Sequence, residues 1–204
     1  MSARVTTQRL ALDLCPPRDS SFWPAYVAIR ADPSWQQQVW HATYPPESPR
    51  RVYERNSTLV DRRGHGIWAV SKRHSDATVV NHSGGDDRAT EWVGWIGYRN
   101  LDDASPQSAK WPPPPGTLEV YIGFSREHWG NGYGTEALKG LVDDAFSKHL
   151  VKGRLTACIL EDNPASERCF EAAGFLRTSE DLRYEDEGGY WVLGREEWEK
   201  RKDP

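Results

Sequence analysis

The sequence predicts a mixed α/β fold, with residues 1–204 forming a single domain. The predicted elements follow one another as strand, helix, helix, several strands and then βαβαββ, an order typical of mixed α/β proteins. The 204 residues are 37% hydrophobic and 27% charged, which suits a soluble chain long enough to bury a substantial core. The sequence shows no internal repeat and no sign of a second domain.

The first sixty residues are predicted to form a strand followed by helices. Residues 9–14 alternate apolar and polar side chains, which is the period of a half-buried strand. A helix is expected over residues 22–31, because polar residues precede it and Asp32-Pro33 follows it. Further helical segments are expected over residues 35–40, ended by the prolines at 45 and 46, and over residues 50–60, with charges facing solvent.

The middle of the chain is predicted to hold two strands and two irregular connections. Segments rich in β-branched and aromatic residues, at 66–70 and 91–99, predict the strands. Residues 71–90 are polar and contain Gly84-Gly85-Asp86-Asp87, which predicts a mobile hairpin. Residues 100–116 contain Trp111 followed by four prolines, which predicts a stiff, extended loop.

The C-terminal half supplies the βαβαββ part of the order. Strands are expected over residues 117–124 and 155–160, with a helix carrying one continuous apolar stripe over 132–149 between them. Asn163-Pro164 is expected to start a second helix, which Gly174 ends. Two last strands are expected over 175–184 and 190–193, and the charged tail from residue 195 is expected to be partly frayed.

Three glycines, Gly130, Gly132 and Gly134, lie between the strand at 117–124 and the striped helix. Glycine lets the backbone approach a ligand, and a helix starting there offers free N–H groups and about half a unit of positive charge. This arrangement predicts a phosphate site, with a plain tight turn as the alternative. No lysine follows the glycines, which excludes a P-loop. A dinucleotide-binding fold is disfavoured as well, because the acidic residues that follow the next strand lie too far along the chain from the glycines.

Four parts of the chain carry a family resemblance: TQRL at 7–10; EVYIGF at 119–124 with HWGNGYGTEAL at 128–138; NPAS at 163–166 with AGF at 173–175; and WVLGREEW at 191–198. Together they resemble the GNAT superfamily of N-acetyltransferases, in particular the branch of ribosomal-protein N-terminal acetyltransferases. The likeness is specific over most of residues 117–198 and loose over 32–116. It implies a central, mostly antiparallel sheet with one splayed parallel pair and flanking helices.

The resemblance implies acetyl-CoA as the acetyl donor and no metal. The pyrophosphate would rest on the turn, and the pantetheine would lie like an extra strand between the strands at 117–124 and 155–160. One backbone N–H of this strand would polarise the thioester carbonyl. The residues expected to bind the cofactor are Ile122, Gly123, Phe124, Trp129, Gly130, Asn131, Gly132, Tyr133, Gly134, Thr135, Asn163, Ser166 and Phe170.

By the same resemblance, an amine attacks the thioester directly, which needs a base for the ammonium proton and an acid for the departing thiolate. Glu119 is the expected base, acting through water; a structural or solvated charge is the alternative. Ser166 is the expected acid, because Phe170, which cannot donate a proton, stands where many relatives carry tyrosine. Helix capping is the alternative role of Ser166. Cys169 is interpreted as a core residue. The residues expected to contact the acceptor are Trp35, Trp40, His41, Tyr44 and Tyr121.

The favoured acceptor is the primary amine of a small molecule, because aromatic and proline-rich segments indicate a shaped, apolar-walled pocket. A protein or peptide N-terminus is the first alternative; a non-catalytic acyl-CoA sensor or another acyl-CoA reaction on this fold is the second. The net charge of −4 gives no electrostatic basis for binding nucleic acid or an anionic membrane.

No apolar run reaches the roughly 18 residues of a membrane span. The first 14 residues lack the pattern of a secretory signal, and three scattered cysteines do not make a disulfide framework. A cytoplasmic location is therefore expected, as a monomer or a homodimer.

Overall fold

The computed structural model describes residues 3–40, 47–63, 66–73, 90–100, 116–179 and 188–201. Within these ranges the chain forms eight strands and six α-helices. The strands are β1 (Arg4–Thr6), β2 (Leu10–Leu14), β3 (Ile67–Lys72), β4 (Trp92–Asn100), β5 (Leu118–Phe124), β6 (Leu155–Ile159), β7 (Leu176–Thr178) and β8 (Gly189–Leu193). The helices are α1 (Phe22–Ala31), α2 (Pro33–Trp40), α3 (Pro49–Arg63), α4 (Tyr133–Ser147), α5 (Pro164–Ala172) and α6 (Arg195–Lys200).

The eight strands form one mixed sheet in the order β1-β2-β3-β4-β5-β6-β8-β7. Its described neighbours are antiparallel except for β5 and β6, which run parallel. This parallel pair is short: Leu118 faces Leu155 and Glu119 faces Thr156, and the pairing ends there. Beyond Glu119 the two strands separate, so the β6-facing edge of β5 is left without a partner strand. The mostly antiparallel sheet with one splayed parallel pair is confirmed.

The two faces of the sheet carry two different cores. On one face, α4 packs its stripe of Leu138, Leu141 and Phe146 against β-strand residues such as Ile96 and Val120. On the other face, α1, α2 and α3 form an aromatic core with β3 and β4. Because side chains alternate along a strand, Glu119, Tyr121 and Gly123 of β5 point away from the Val120 face, toward the aromatic core. This alternation decides which residues can meet in the site.

Most of the predicted elements are confirmed, including the helix over residues 22–31 and the helix that begins after Asn163. Two are not as expected. Strand β1 was not predicted, because three residues are too few to show a period. The tail forms helix α6, where the sequence indicates fraying: Trp198 is buried, stacks on Phe146 at 5.3 Å and donates to Asp143 Oδ1 at 2.7 Å. One buried indole fixes a segment whose other residues are mainly charged.

The predicted mobile hairpin and proline-rich loop lie largely outside the described residues, as do 180–184 of the expected strand 175–184. In the part of the chain that is described, no helix combines the length and apolarity that crossing a membrane requires.

Candidate functional site

The glycine turn at residues 129–134 joins β5 to α4 and faces open space. Gly130 and Gly132 have φ values of +76° and +75°, a conformation that L side chains rarely adopt. Among the residues that the structure describes, a Cβ atom on Gly130 would have no neighbour within 4 Å, and one on Gly132 would meet the Arg9 guanidinium at 3.5 Å. Among the described residues, no hydrogen bond engages the N–H groups of residues 131–135, which lead into the first turn of α4. The turn thus presents a set of donors that suits a phosphate group.

Arg9, immediately before β2, connects the turn to the edge of the sheet. Its Nε lies 2.6 Å from Oε2 of Glu136, its Nη1 donates to the carbonyl of Asn131 at 3.1 Å, and its guanidinium lies 4.8 Å from the Tyr133 ring centroid. The hydroxyl of Thr7 and the N–H of Arg9 both donate to Glu136 Oε1 at 2.6 Å. Burial works to raise the pKa of Glu136, but these hydrogen bonds lower it below its ordinary value. Glu136 therefore stays ionised and holds Arg9 beside the turn.

A first cavity, the cofactor cleft, runs from the glycine turn between β5 and α5 and encloses about 320 Å³. It is lined by most of the residues that the sequence predicts for the cofactor: Ile122, Gly123, Phe124, Trp129, Gly130, Gly132, Tyr133, Gly134, Thr135, Asn163 and Ser166. Two predicted residues do not line it. Asn131 directs its side-chain amide to the carbonyls of His128 and Trp129, each at 3.2 Å, so its side chain shapes the turn. Phe170 faces a different cavity.

A second cavity, the acceptor cavity, encloses about 480 Å³ on the aromatic face of the sheet. It lies between β4, β5, β6 and the helices α1 to α3, and aromatic side chains form much of its wall. Its described aromatic residues are Tyr26, Trp35, Trp95, Tyr121 and Phe170. Five of the described residues line both cavities: Trp35, Gln38, Ile122, Asn163 and Ser166. The two cavities therefore meet where β5 and β6 splay apart.

Two glycines make the aromatic wall possible. A Cβ atom on Gly123 would lie 2.5 Å from the Trp95 indole, and one on Gly97 would lie 2.8 Å from the Tyr121 ring. Trp95 and Tyr121 pack edge to face with ring centroids 5.5 Å apart, and the Tyr26 ring centroid lies 5.2 Å from that of Trp95. Burial raises the pKa of Tyr121 far above its ordinary value, so its phenol stays protonated.

Glu119 lines the acceptor cavity and is buried, with 5% of its surface exposed. It lies opposite Arg99 in the β4–β5 pair, and the Arg99 guanidinium forms an ion pair with its carboxylate. A guanidinium in this position favours the ionised carboxylate. The arrangement keeps a negative charge at the wall of the cavity, next to the point where the parallel pairing ends.

Ser166 stands at the junction of the two cavities because Asn163 caps helix α5. Oδ1 of Asn163 accepts from the N–H of Ser166 at 3.1 Å, and its amide nitrogen donates to the carbonyl of Gln38 at 3.1 Å. In the described part of the chain, the Ser166 hydroxyl has no hydrogen-bond partner. One turn further along, Cys169 lines the cofactor cleft, and burial raises the pKa of its thiol while a hydrogen bond with Thr135 opposes the shift. The thiol is therefore protonated at neutral pH.

The predicted acceptor residues are only partly described. Trp35 and Tyr121 line the acceptor cavity. His41 and Tyr44 lie outside the described residues, as does the side chain of Trp40. The structure adds three residues that the sequence did not single out, namely the cavity-lining arginines Arg30, Arg55 and Arg99.

Arg55 is exposed, as the sequence predicts for the charges of residues 50–60. It also lines the acceptor cavity, because the packing of α3 on α1 brings this side of the helix to the cavity. The position of Arg55 at the cavity follows from its place on α3 relative to Val52, which packs in the aromatic core. The sequence shows that relation only once the docking of the helix is known.

Comparisons with known proteins bear on the family and the fold. A family model described as an acetyltransferase (GNAT) domain matches residues 10–176. An acetyltransferase from Agrobacterium tumefaciens strain C58 gives a TM-score of 0.68 at 21% identity, covering 95% of each chain. The aminoglycoside acetyltransferase AAC(6')-Ib, in complex with coenzyme A and kanamycin, gives 0.66 at 16% identity, covering 95% of this chain and 99% of that one. RimL, a ribosomal L7/L12 α-N-protein acetyltransferase solved with coenzyme A, gives 0.65 at 15% identity, covering 94% and 97%.

At these identities the structural likeness establishes the fold. In sequence, the uncharacterized protein YkkB of Bacillus subtilis strain 168 is 39% identical over 57 residues. That match covers 28% of this chain and 33% of YkkB, so it spans about a third of the relative's length.

Proposed function

Because the chain belongs to the acetyltransferase (GNAT) family, we propose that it transfers the acetyl group of acetyl-CoA to a primary amine of a small molecule. The observation that carries this proposal is the meeting of two cavities at the splayed ends of β5 and β6. One cavity begins at a turn suited to phosphate, and the other is a separate chamber with a buried carboxylate. When bound, acetyl-CoA supplies an activated thioester, and the residues of this chain do the rest.

The glycine turn fits the pyrophosphate of such a cofactor. Its donors are the backbone N–H groups of residues 131–135, and the positive end of α4 adds to them. Arg9 lies beside Gly132 and contributes a fixed positive charge. The open space around Gly130 leaves room for the close approach that phosphate oxygens need.

The free edge of β5 beyond Glu119 fits the extended arm of the cofactor. Residues 122–124 pair with β4 on one side only, since the pairing with β6 has ended. A backbone N–H on the free side would donate to the thioester carbonyl and stabilise the negative charge that develops there. Gly123 and Ile122 line the cleft at this point, which supports their assignment to this role.

Glu119 is the residue to which we assign the proton of the attacking amine. Its carboxylate is buried at the wall of the acceptor cavity, and Arg99 holds it in the ionised form that attracts an ammonium group. A water molecule between them would pass the proton to Glu119.

Ser166 is the residue to which we assign the departing thiolate. It lines both cavities and its hydroxyl is available to a ligand, in contrast to the buried phenyl ring of Phe170, which packs edge to face on Phe175 at 5.0 Å. A serine hydroxyl at this junction would donate a hydrogen bond to the sulfur or hold a water that does so.

The size of the acceptor cavity supports a small acceptor over a protein chain. About 480 Å³ bounded by aromatic rings accommodates a metabolite of modest size. AAC(6')-Ib, solved with kanamycin, and RimL, an α-N-protein acetyltransferase, have the same fold, so the fold itself allows either class.

The test follows release of free coenzyme A thiol while the protein is given acetyl-CoA and a panel of small amines, amino acids and short peptides, with mass spectrometry of the products. We expect acetylation of small amines at rates that fall when Glu119→Gln or Ser166→Ala is introduced. Selective acetylation of peptide N-termini would replace the small-molecule proposal. Calorimetric binding of acetyl-CoA without turnover of any acceptor would favour a sensor.

A further inference from the structure

We propose that the acceptor carries a carboxylate in addition to its amine, and that the arginines of the acceptor cavity bind this carboxylate. The expected acceptors are therefore amino acids, or compounds like them, with an apolar side chain. This inference rests on the proposed function, because it names the substrate class of the same site.

The charge of the cavity is the first argument. Its described lining includes the three guanidinium groups of Arg30, Arg55 and Arg99 and one carboxylate, Glu119. A second carboxylate, Glu47, lies behind the lining and is shared: its oxygens lie 3.6 Å from Arg30 and 2.7 Å from Arg55. Arg55 and Arg30 thus share the Glu47 carboxylate, and a guanidinium has five N–H donors. An acceptor that brings a carboxylate of its own would fit these donors at the wall of an aromatic chamber.

The arrangement of the arginines is the second argument. Arg30 is held in place, because its Nη1 donates to the Tyr26 hydroxyl at 3.0 Å and its guanidinium lies 5.6 Å from the Tyr26 ring centroid. Arg55 donates from Nη1 to Glu47 Oε2 at 2.7 Å, and the rest of its planar fork, on a side chain that is 46% exposed, suits a second carboxylate. Both arginines extend from the helices α1 and α3, which form the side of the cavity opposite the sheet.

The position of Glu119 is the third argument, because it provides a carboxylate on the sheet, whereas Arg30 and Arg55 extend from helices α1 and α3. Glu119 lies on β5 and lines the acceptor cavity together with Tyr121, Arg99 and Arg55. An amino acid would place its amine toward Glu119 and its carboxylate toward Arg55 and Arg30, with its side chain against Trp35 and Trp95. A polycation such as kanamycin would meet repulsion from the same arginines.

The experiment compares acceptors that differ only in the carboxylate: phenylalanine with phenethylamine, tryptophan with tryptamine, and leucine with isoamylamine. We expect kcat/KM to be at least about tenfold higher for the amino acid of each pair, because a charged hydrogen-bonded pair contributes about that much or more. Kanamycin is included as the polycation and should be the poorest acceptor.

Two variants separate the role of Arg55 from a general change of charge. Arg55→Met should lower kcat/KM for the amino acids by about tenfold to a hundredfold and leave the decarboxylated amines nearly unchanged. Arg50→Met is the matched control: Arg50 is on the same helix, 72% exposed and paired with Glu54 outside the cavity lining. It should change neither class of acceptor.

A binding measurement makes the result independent of turnover. N-acetylphenylalanine retains the carboxylate and lacks the amine, and calorimetry should show that it binds the natural chain and the Arg50→Met variant but about tenfold more weakly to Arg55→Met. Equal turnover of amino acids and decarboxylated amines, or equal loss on both with Arg55→Met, overturns this inference and leaves the acetyltransferase proposal standing. Absence of any acetylated amine, despite acetyl-CoA binding, overturns both.

Discussion

Arg9 and Glu136 lie 127 residues apart in the chain, yet the Arg9 guanidinium is 2.6 Å from the Glu136 carboxylate beside the glycine turn. The pair joins the beginning of β2 to the first turn of α4. Arg9 also donates to the carbonyl of Asn131, the central residue of the turn. The edge of the sheet thereby fixes the conformation of a turn that is exposed and rich in glycine. The segment TQRL is thus part of the cofactor end of the molecule, although it lies at the opposite end of the sequence.

Arg9→Met should weaken acetyl-CoA binding about three- to tenfold, because the turn loses a hydrogen bond and the pyrophosphate loses a nearby positive charge. Isothermal titration calorimetry measures this directly. Arg4→Met is the control, since Arg4 forms a comparable 2.6 Å ion pair with Asp13 on the neighbouring strand, away from the turn. Equal weakening by both variants would contradict a specific role for Arg9.

Glu136→Gln should make the free energy of unfolding vary less with pH in the acidic range. The folded pKa of Glu136 is lowered, so its contribution to stability is fully present above the unfolded value of about 4.3 and is lost as the pH falls through the folded pKa. The difference in unfolding free energy between the natural chain and the variant should be constant from pH 7 to about 5.5 and shrink below that. Urea titrations at several pH values measure it; a difference that stays constant to pH 3 would refute the assignment.

Local patterns in the sequence were sufficient to predict most of the fold. The 22–31 helix, the striped helix α4 and the Asn163 cap are each specified within a few residues, and each is found as predicted. The ion pair of Glu119 with Arg99 is different, since it depends on the β4–β5 register, which no local pattern encodes. Arg55 in the cavity and Trp198 in the core depend on how helices dock. Elements are local properties of the chain, whereas sites arise from contacts between distant segments.

Gly132→Ala should lose both stability and cofactor affinity. The residue has φ +75°, and an L side chain in this conformation costs about 1–2 kcal/mol. Relief of that strain would also turn the N–H groups of the glycine turn away from the phosphate site. Gly116→Ala provides a matched control, because Gly116 has φ +78° but lies two residues before β5, away from the glycine turn. Thermal unfolding should show a loss in both variants, and calorimetry a loss of acetyl-CoA affinity in Gly132→Ala alone.

Ser166→Ala should lower kcat about tenfold or more with little change in the KM for either substrate, if its hydroxyl acts on the departing thiolate. The cap of α5 should survive, because it is the backbone N–H of Ser166 that Asn163 accepts from. Circular dichroism and the unfolding midpoint check this. A rise in the acetyl-CoA KM at unchanged kcat would instead assign Ser166 to cofactor binding.

Glu119→Gln should lower kcat/KM about a hundredfold at neutral pH and lose much less at high pH. If the carboxylate takes the ammonium proton, the loss of the carboxylate matters most near neutral pH, where little of the amine is deprotonated in solution. At high pH the solution itself supplies the deprotonated amine. The measurement is the pH dependence of kcat/KM between 6.5 and 10 for a small amine.

The control for this change is Glu199→Gln, on the exposed side of α6, which should leave the whole profile unaltered. Arg99 is about half exposed, so water can hydrate its guanidinium once Glu119 is neutral, and the variant should remain folded. A loss that is the same at every pH, with a lowered unfolding midpoint, would assign Glu119 to a structural ion pair and return the search for the base to the other polar groups of the acceptor cavity.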